Sequence, residues 1–196
     1  MHRPVLVVPP KELPVPLGEV KQALRVDHDD HDTRLTNEIR AAAAHYEGWG
    51  GILGICLAEQ TLRQDYDTWG SDMPIPLGPV ISVVGVKWRD PGGTLSALPE
   101  SEYVHWTDAG GRSFLRFPGR ASLPAVSGLG AITVEYIAGH PVTDRYSSVP
   151  HDIQAAIKLR VQLMFDDAAG AGAVDLERLE ADLLRKHRRV GLGFCS

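Results

Sequence analysis

Apolar residues recur at helical spacing near both ends of the chain. Residues 17–25 place Leu17, Val20 and Leu24 on one face of a short helix, and residues 33–51 carry a second apolar stripe around an alanine-rich centre. A third helix is predicted after Pro150, and a fourth, amphipathic helix ends near Arg189. The stripe positions expected to form a shared core are Leu24, Leu35, Ile39, Tyr46, Ile153, Ile157, Val161, Leu179 and Leu183.

The middle of the chain changes to the alternating period of β-strands. Residues 79–90 alternate after a Gly-Pro start, which predicts that Val84, Val86 and Trp88 share one face of a strand. The tetrapeptide DPGG at 90–93 is typical of a turn, because proline fixes the backbone and glycine permits positive φ. The predicted strands, separated by Gly, Pro and Asp clusters, are 57–67, 79–90, 101–106, 113–117 and 131–139.

The order of these elements predicts an α+β fold, in which a helical bundle from the N- and C-terminal helices carries an inserted antiparallel β-sheet or sandwich. The bundle is expected to comprise 17–54 and 150–188, and the inserted β lobe 55–149. Residues 1–16, which contain five prolines, are expected to form an extended arm. Residues 189–196 are expected to form a C-terminal tail.

Composition is that of an ordinary globular chain of 196 residues with a net charge of −5. The charge is uneven, since the run RKHRR at 185–189 carries four positive charges on an otherwise acidic chain. Cys56 and Cys195 stand far apart and have no CxxC partner, so neither a disulfide framework nor a zinc site is expected. No apolar run is long enough for a membrane span, and an intracellular protein without a membrane partner is expected.

The segment DHDDHD, from Asp27 to Asp32, is the strongest candidate for chemistry, because His and Asp are common metal ligands. Its spacing fits neither the paired histidines of a zincin helix nor an EF-hand loop. A polar loop that caps the following helix explains the segment better, although a small metal-dependent hydrolase remains an alternative. Neither a serine nucleophile elbow nor a phosphate-binding loop is present in its proper context. We therefore expect no enzyme activity, no cofactor and no metal.

Several motifs together resemble the head–tail connector (adaptor) proteins of long-tailed bacteriophages and gene transfer agents. The first helix ends in Leu24-Arg25-Val26, an acidic link follows, and the second helix has the form L-x-x-x-I-x-A-A before an aromatic, Glu and Gly. In the middle, PIPLGPVISVVGVKWRDPGG is similar to the family's strand and turn. AITVEYIAGH followed by VPHDIQAAIKLRVQLMF, and the ending LLRKHRRV, match later parts of the family pattern. The resemblance extends over nearly everything after residue 16.

The resemblance implies a structural subunit and not an enzyme. Family members form a ring of roughly twelve copies between the portal protein and the downstream neck stopper and tail proteins, and double-stranded DNA passes through the lumen without sequence-specific binding. The location implied is the neck of a virion or phage-like particle that is assembled in the cytoplasm of the bacterial host. A generic cytosolic protein-binding module remains the second alternative.

The C-terminal residues are the predicted portal-docking segment. Four positive charges precede an alternating apolar trio flanked by glycines, which is a pattern suited to an extended segment that binds a partner's groove. The positive charges are expected to pair with acidic groups of the portal. The residues of this predicted docking tail are Arg185, Lys186, His187, Arg188, Arg189, Val190, Gly191, Leu192, Gly193 and Phe194.

Overall fold

The structure, a computed structural model, describes residues 2–119, 123–143, 145–165 and 172–187. Helices and antiparallel strands are both present, which confirms the mixed α+β class. The helices are α1 (Leu17–Leu24), α2 (Asp32–Tyr46), α3 (His151–Phe165) and α4 (Ala173–Leu184), with a 3-10 turn at Glu100–Glu102. The strands are β1 (Val5–Val8), β2 (Gln60–Tyr66), β3 (Asp72–Ile75), β4 (Val80–Arg89), β5 (Leu95–Leu98), β6 (Val104–Thr107), β7 (Ser113–Arg116), β8 (Ile132–Ala138), β9 (Val142–Thr143) and β10 (Tyr146–Ser147).

The chain divides into two compact units. The first contains the described residues of Met1–Pro10 and Glu59–Gly139, and the second those of Lys11–Ala58 and His140–Ser196. The arm expected at 1–16 is therefore divided between them, because the apolar run of β1 pairs with β2 whereas Val15 is buried in the helical unit.

The first unit contains a five-stranded sheet in the order β1-β2-β8-β4-β5 and a three-stranded sheet in the order β3-β7-β6. Strand side chains alternate between faces, so directly paired positions share one face. On β2 and β8 the buried residues are paired with each other, which sets the register. These pairs are Gln60–Ala138, Leu62–Tyr136, Gln64–Val134 and Tyr66–Ile132.

Strand β4 departs from the alternation predicted for it. Its pairing with β8 shifts between Val83 and Gly85, where an additional residue interrupts the ladder. Val84 is consequently 50% exposed while Val86 is buried, so the prediction that both share one face with Trp88 is wrong. A β-bulge of this kind moves the side chains on its two sides out of phase.

The second unit has one hydrophobic core to which all four helices contribute. Among the residues expected there, Leu35, Ile39, Tyr46, Ile153, Ile157 and Val161 are fully buried, and Leu24 and Leu183 pack against the core half-buried.

Leu179 was predicted to lie in this core and does not, since it is 49% exposed. Helix α4 instead buries Glu180 and Leu184. Successive helical residues are rotated by about 100°, so with Glu180 at the centre of the buried face Leu179 lies on its flank.

Candidate assembly site

The acidic run Asp27–Asp32 surrounds a lysine from helix α1. Lys21 Nζ donates hydrogen bonds to Asp29 Oδ1 at 2.6 Å and to Asp32 Oδ1 at 2.7 Å. These bonds raise the pKa of the lysine and hold the pKa of Asp29 below its usual range. The segment therefore joins α1 to the start of α2 electrostatically.

The histidines of the same run contact rings and not a shared centre. His28 and His31 lie with ring centroids 5.0 Å apart, and His31 also meets the edge of Phe165 at 5.3 Å. His31 occupies the N-cap position of α2 without a side-chain capping bond, so the expected cap is wrong in its detail, although Asp32 does supply an acidic first turn. Across the described ranges, no group of three or more His, Cys, Asp or Glu side chains is placed to hold a metal ion.

The first residues of the predicted docking tail contact the start of helix α3. Lys186 Nζ lies 2.7 Å from Asp152 Oδ2, and His187 Nε2 lies 2.6 Å from the same oxygen. Burial of Asp152 opposes its ionisation, but the hydrogen bonds from Lys186 and His187 outweigh that effect and lower its pKa to about 2. Lys186 and His187, which were predicted to pair with a partner, therefore share an acidic contact within the subunit.

The remainder of the predicted tail lies outside the described residues. Arg185 is exposed directly after α4, and its backbone N–H donates to the carbonyl of Asp182. The predicted tail residues that lie beyond the described part are Arg188, Arg189, Val190, Gly191, Leu192, Gly193 and Phe194.

A buried polar network joins three helices of the second unit. Tyr46 of α2 donates from its hydroxyl to Glu180 Oε1 of α4 at 2.7 Å, and Arg160 Nε of α3 lies 3.5 Å from the same oxygen. Arg160 also contacts His45, and partial burial together with the charge of Arg160 lowers the pKa of the His45 imidazole. Burial and the neighbouring Glu180 raise the pKa of Tyr46, so its hydroxyl remains a donor. The network positions α4 against α2 and α3.

An exposed apolar strand, β1, forms one edge of the five-stranded sheet, although the sequence predicts it only as part of an extended arm. All four residues of β1 are 44–50% exposed, although the strand belongs to the five-stranded sheet. Val7 also lines a groove of about 370 Å³ together with Arg63, Lys87 and Leu95. The run VLVV between prolines was the signal available in the sequence. Four consecutive exposed apolar residues are unusual unless they serve an interaction.

No membrane-spanning candidate occurs among the helices of the described residues, since none of them has the length and apolarity that a crossing requires.

Several solved structures have a similar fold, and three of them are chains from gene transfer agent particles. A chain from the neck of an empty gene transfer agent particle, computed with C6 symmetry, has a TM-score of 0.69 and 21% identity, over 91% of this chain and 95% of that one. A chain from the virion of a native gene transfer agent particle has a TM-score of 0.68 and 22% identity, over 91% of this chain and 95% of that one. A chain from the neck of a native particle, computed with C12 symmetry, has a TM-score of 0.59 and 21% identity, over 89% of this chain and 94% of that one.

No protein-family model matches the sequence, and no curated protein is significantly similar to it. At 21–22% identity, the likeness to the solved structures shows a shared fold along almost the whole chain.

Proposed function

We propose that the chain is a head–tail connector (adaptor) subunit, a structural protein in the neck of a tailed phage or gene transfer agent. The observation that carries this proposal is the fold shared over 91% of the chain with proteins from the neck and virion of gene transfer agent particles. The sequence motifs independently resemble connector proteins of the same kind of particle. In this proposal the helical unit is the family's bundle and the sheet unit its inserted lobe.

The subunit would form a ring of roughly twelve copies, bound to the portal on one side and to the downstream neck stopper and tail proteins on the other. Neck structures of this fold were computed with C6 and C12 symmetry, which supports a cyclic arrangement. Such a ring is heterologous, so each copy uses two different surfaces. A net charge of −5 suits a lumen through which double-stranded DNA passes, because negative charge does not retain phosphates.

Docking onto the portal is assigned to residues 188–196 in this proposal. Lys186 and His187 contact Asp152 within the subunit, so the segment proposed to bind the partner is the one that begins after His187. It carries Arg188 and Arg189, followed by the alternating apolar residues Val190, Leu192 and Phe194. The arginines would promote encounter with an acidic groove, and the apolar residues would fill it.

The test uses cells that produce the particles. Deleting the gene should leave DNA-containing heads without tails, and the full-length chain supplied in trans should restore complete particles. A chain truncated after His187 should fold but fail to join the heads, whereas a chain truncated after Phe194 should join them. Imaging of particle necks and immunodetection of the chain in purified particles measure both outcomes.

Two results would count against parts of the proposal. Complete, tailed particles without the gene would refute the connector function. Normal attachment of the chain truncated after His187 would refute only the docking assignment, and the portal contact would then lie elsewhere on the subunit.

A further inference from the structure

Strands β1 and β5 lie at the two ends of the same five-stranded sheet, and each has a paired neighbour on one side only among the described strands. An edge strand presents unpaired N–H and C=O groups that can pair with another chain. Monomeric proteins usually protect such edges with short strands, prolines, bulges or charge, or cover them. Strand β1 is short, lies between Pro4 and Pro9 and has an irregular register with β2, but it carries no charge and presents the apolar run VLVV with all four residues 44–50% exposed.

We propose that β1 of one copy pairs in parallel with β5 of the next copy, so that the five-stranded sheets of neighbouring subunits join. This inference rests on the ring in the proposed function and names the surface that builds it. The proposed partner of the exposed edge is a second copy of this chain and not a segment of another neck protein.

The directions of the two edge strands determine how they can pair. Every pairing within the sheet is antiparallel, so directions alternate across its five strands and the edge strands β1 and β5 run parallel to each other. Neighbours in a ring of roughly twelve copies differ by a rotation of only about 30°. A rotation of that size does not reverse strand direction, so β5 of one copy would meet β1 of the next in the parallel sense, at a crossing angle that the twist across the five strands also sets. Antiparallel pairing would need a rotation near 180° and would close after two copies.

The two edges also match in length, although the pairing of β1 with β2 is irregular between Leu6 and Val8. Each strand has four residues and is followed at once by a proline, in VLVVP and LSALP. Placing Val5 beside Leu95 puts Pro9 beside Pro99. Both strands of the new ladder would then end together, because proline has no N–H to donate.

The side-chain faces agree in the same register. Val5 is paired with Arg63 on the outer face of the sheet, and Val7 lines the outer groove. On β5, Leu95 is paired with Arg89 and also lines that groove. Val5 and Leu95 would therefore lie side by side on one continuous face, where each covers part of the apolar surface that the other exposes.

Charge near the two edges is complementary. Within four residues of β1 the charged side chains are Arg3, Lys11 and Glu12, with a net charge of +1. Within four residues of β5 they are the exposed Glu100 and the half-buried Glu102, with a net charge of −2. A positive edge meeting a negative edge favours the head-to-tail contact over either edge meeting its own kind.

Cross-linking tests the contact directly. The chain would carry Val7→Cys and Ala97→Cys in a Cys195→Ser background, where the remaining Cys56 is buried. In particles treated with a short bifunctional thiol reagent, this double variant should give a ladder of dimers, trimers and larger species. Each single-cysteine variant should stay monomeric, because head-to-tail pairing brings unlike edges together. A pair joining Val7→Cys to Ala109→Cys, an exposed loop residue, is the control and should not form the ladder.

Edge-blocking variants supply the second readout. Val7→Lys on one edge or Leu95→Lys on the other should abolish incorporation of the chain into rings, while the purified variants retain the circular dichroism spectrum of the parent. Val104→Lys is the matched control, since Val104 is equally exposed but lies in the three-stranded sheet. It should assemble as the parent does. Two different positions keep the test valid if one variant misfolds.

The outcomes separate this inference from the connector function. If the chain is present in particles but the double-cysteine variant gives no ladder, the sheet contact is refuted. The same holds if both lysine variants still form rings. Neither result affects the connector function. Dimers from the Val7→Cys variant alone would show that like edges pair and would also overturn the sheet contact, as would a cross-link to a different neck protein. Absence of the chain from particles refutes the connector function. The contact between β1 and β5 is then tested separately, by cross-linking the purified double-cysteine variant at high concentration.

Discussion

The hydroxyl of Tyr46 and the carboxylate of Glu180 are joined by a 2.7 Å hydrogen bond inside the helical unit, across 134 positions of sequence. Glu180 is only 5% exposed, and Arg160 lies against the same carboxylate oxygen. A buried carboxylate that loses a donor is left partly unsatisfied, which is costly. The bond therefore holds α4 against α2 and α3 in one orientation.

Replacing Tyr46 by Phe should lower the free energy of unfolding of the helical unit by about 1.5–3 kcal/mol, the usual range for a hydrogen bond to a charged group. The measurement is urea unfolding followed by the helical circular dichroism signal. Tyr146→Phe is the control, because that ring is 62% exposed, and it should change stability by less than about 0.5 kcal/mol. Equal stability of the two variants would mean that the hydrogen bond from Tyr46 to Glu180 contributes nothing.

Two leucines of helix α4 should respond very differently to truncation. Leu184 is 1% exposed in the core and Leu179 is 49% exposed. Leu184→Ala should cost about 2–5 kcal/mol, because it removes buried apolar surface and leaves a cavity. Leu179→Ala should cost less than about 0.5 kcal/mol in the same urea titration. The reverse order would mean that α4 buries the face predicted from its leucine spacing.

Neither the stability nor the assembly of the chain should depend on a metal ion bound at the acidic run. Replacing His28 and His31 together by Gln leaves the bonds from Lys21 to Asp29 and Asp32 in place, so the melting temperature and assembly should be nearly unchanged. Lys21→Met should lower the melting temperature, since it leaves two carboxylates close together without a cation. Zinc titration by calorimetry should give no binding heat with the parent chain. A loss in the histidine variant that added zinc reverses would support the metal-dependent alternative.

Asp152 should make the helical unit sensitive to acid. Its pKa is lowered to about 2 in the folded chain, from the ordinary value of 3.8, so its contribution to stability is present above about pH 4 and is lost as the pH falls towards 2. A shift of this size corresponds to roughly 2 kcal/mol. Asp152→Asn should reduce the loss of stability between these pH values by up to that amount.

The control for this effect is Asp30→Asn, since the Asp30 side chain is 88% exposed. As the pH is lowered, the free energy of unfolding should fall equally for the parent and Asp30→Asn. It should fall less steeply for Asp152→Asn. Identical slopes for all three proteins would contradict the role given to the contacts of Lys186 and His187.

Local sequence was sufficient for the fold class and for most elements. The stripe through Leu35 and Ile39 predicted α2, and the alternation at 131–139 predicted β8, because each pattern repeats with the period of its own element. The family motifs pointed to connector proteins, and the fold is shared with chains from gene transfer agent particles. The exposed run VLVV and its pairing with β2 were missed, because a strand of four residues gives little periodic signal.

The identity and order of the helices and longer strands follow from local sequence, since their signals lie within one segment. Which side of α4 is buried depends instead on packing, because Tyr46 and Arg160, far away in the chain, provide partners for Glu180. Long-range packing also brings Lys186 and His187 to Asp152, and makes β1 and β5 the parallel edges of one sheet. These features arise from contacts between distant segments, and no local period or motif encodes such contacts.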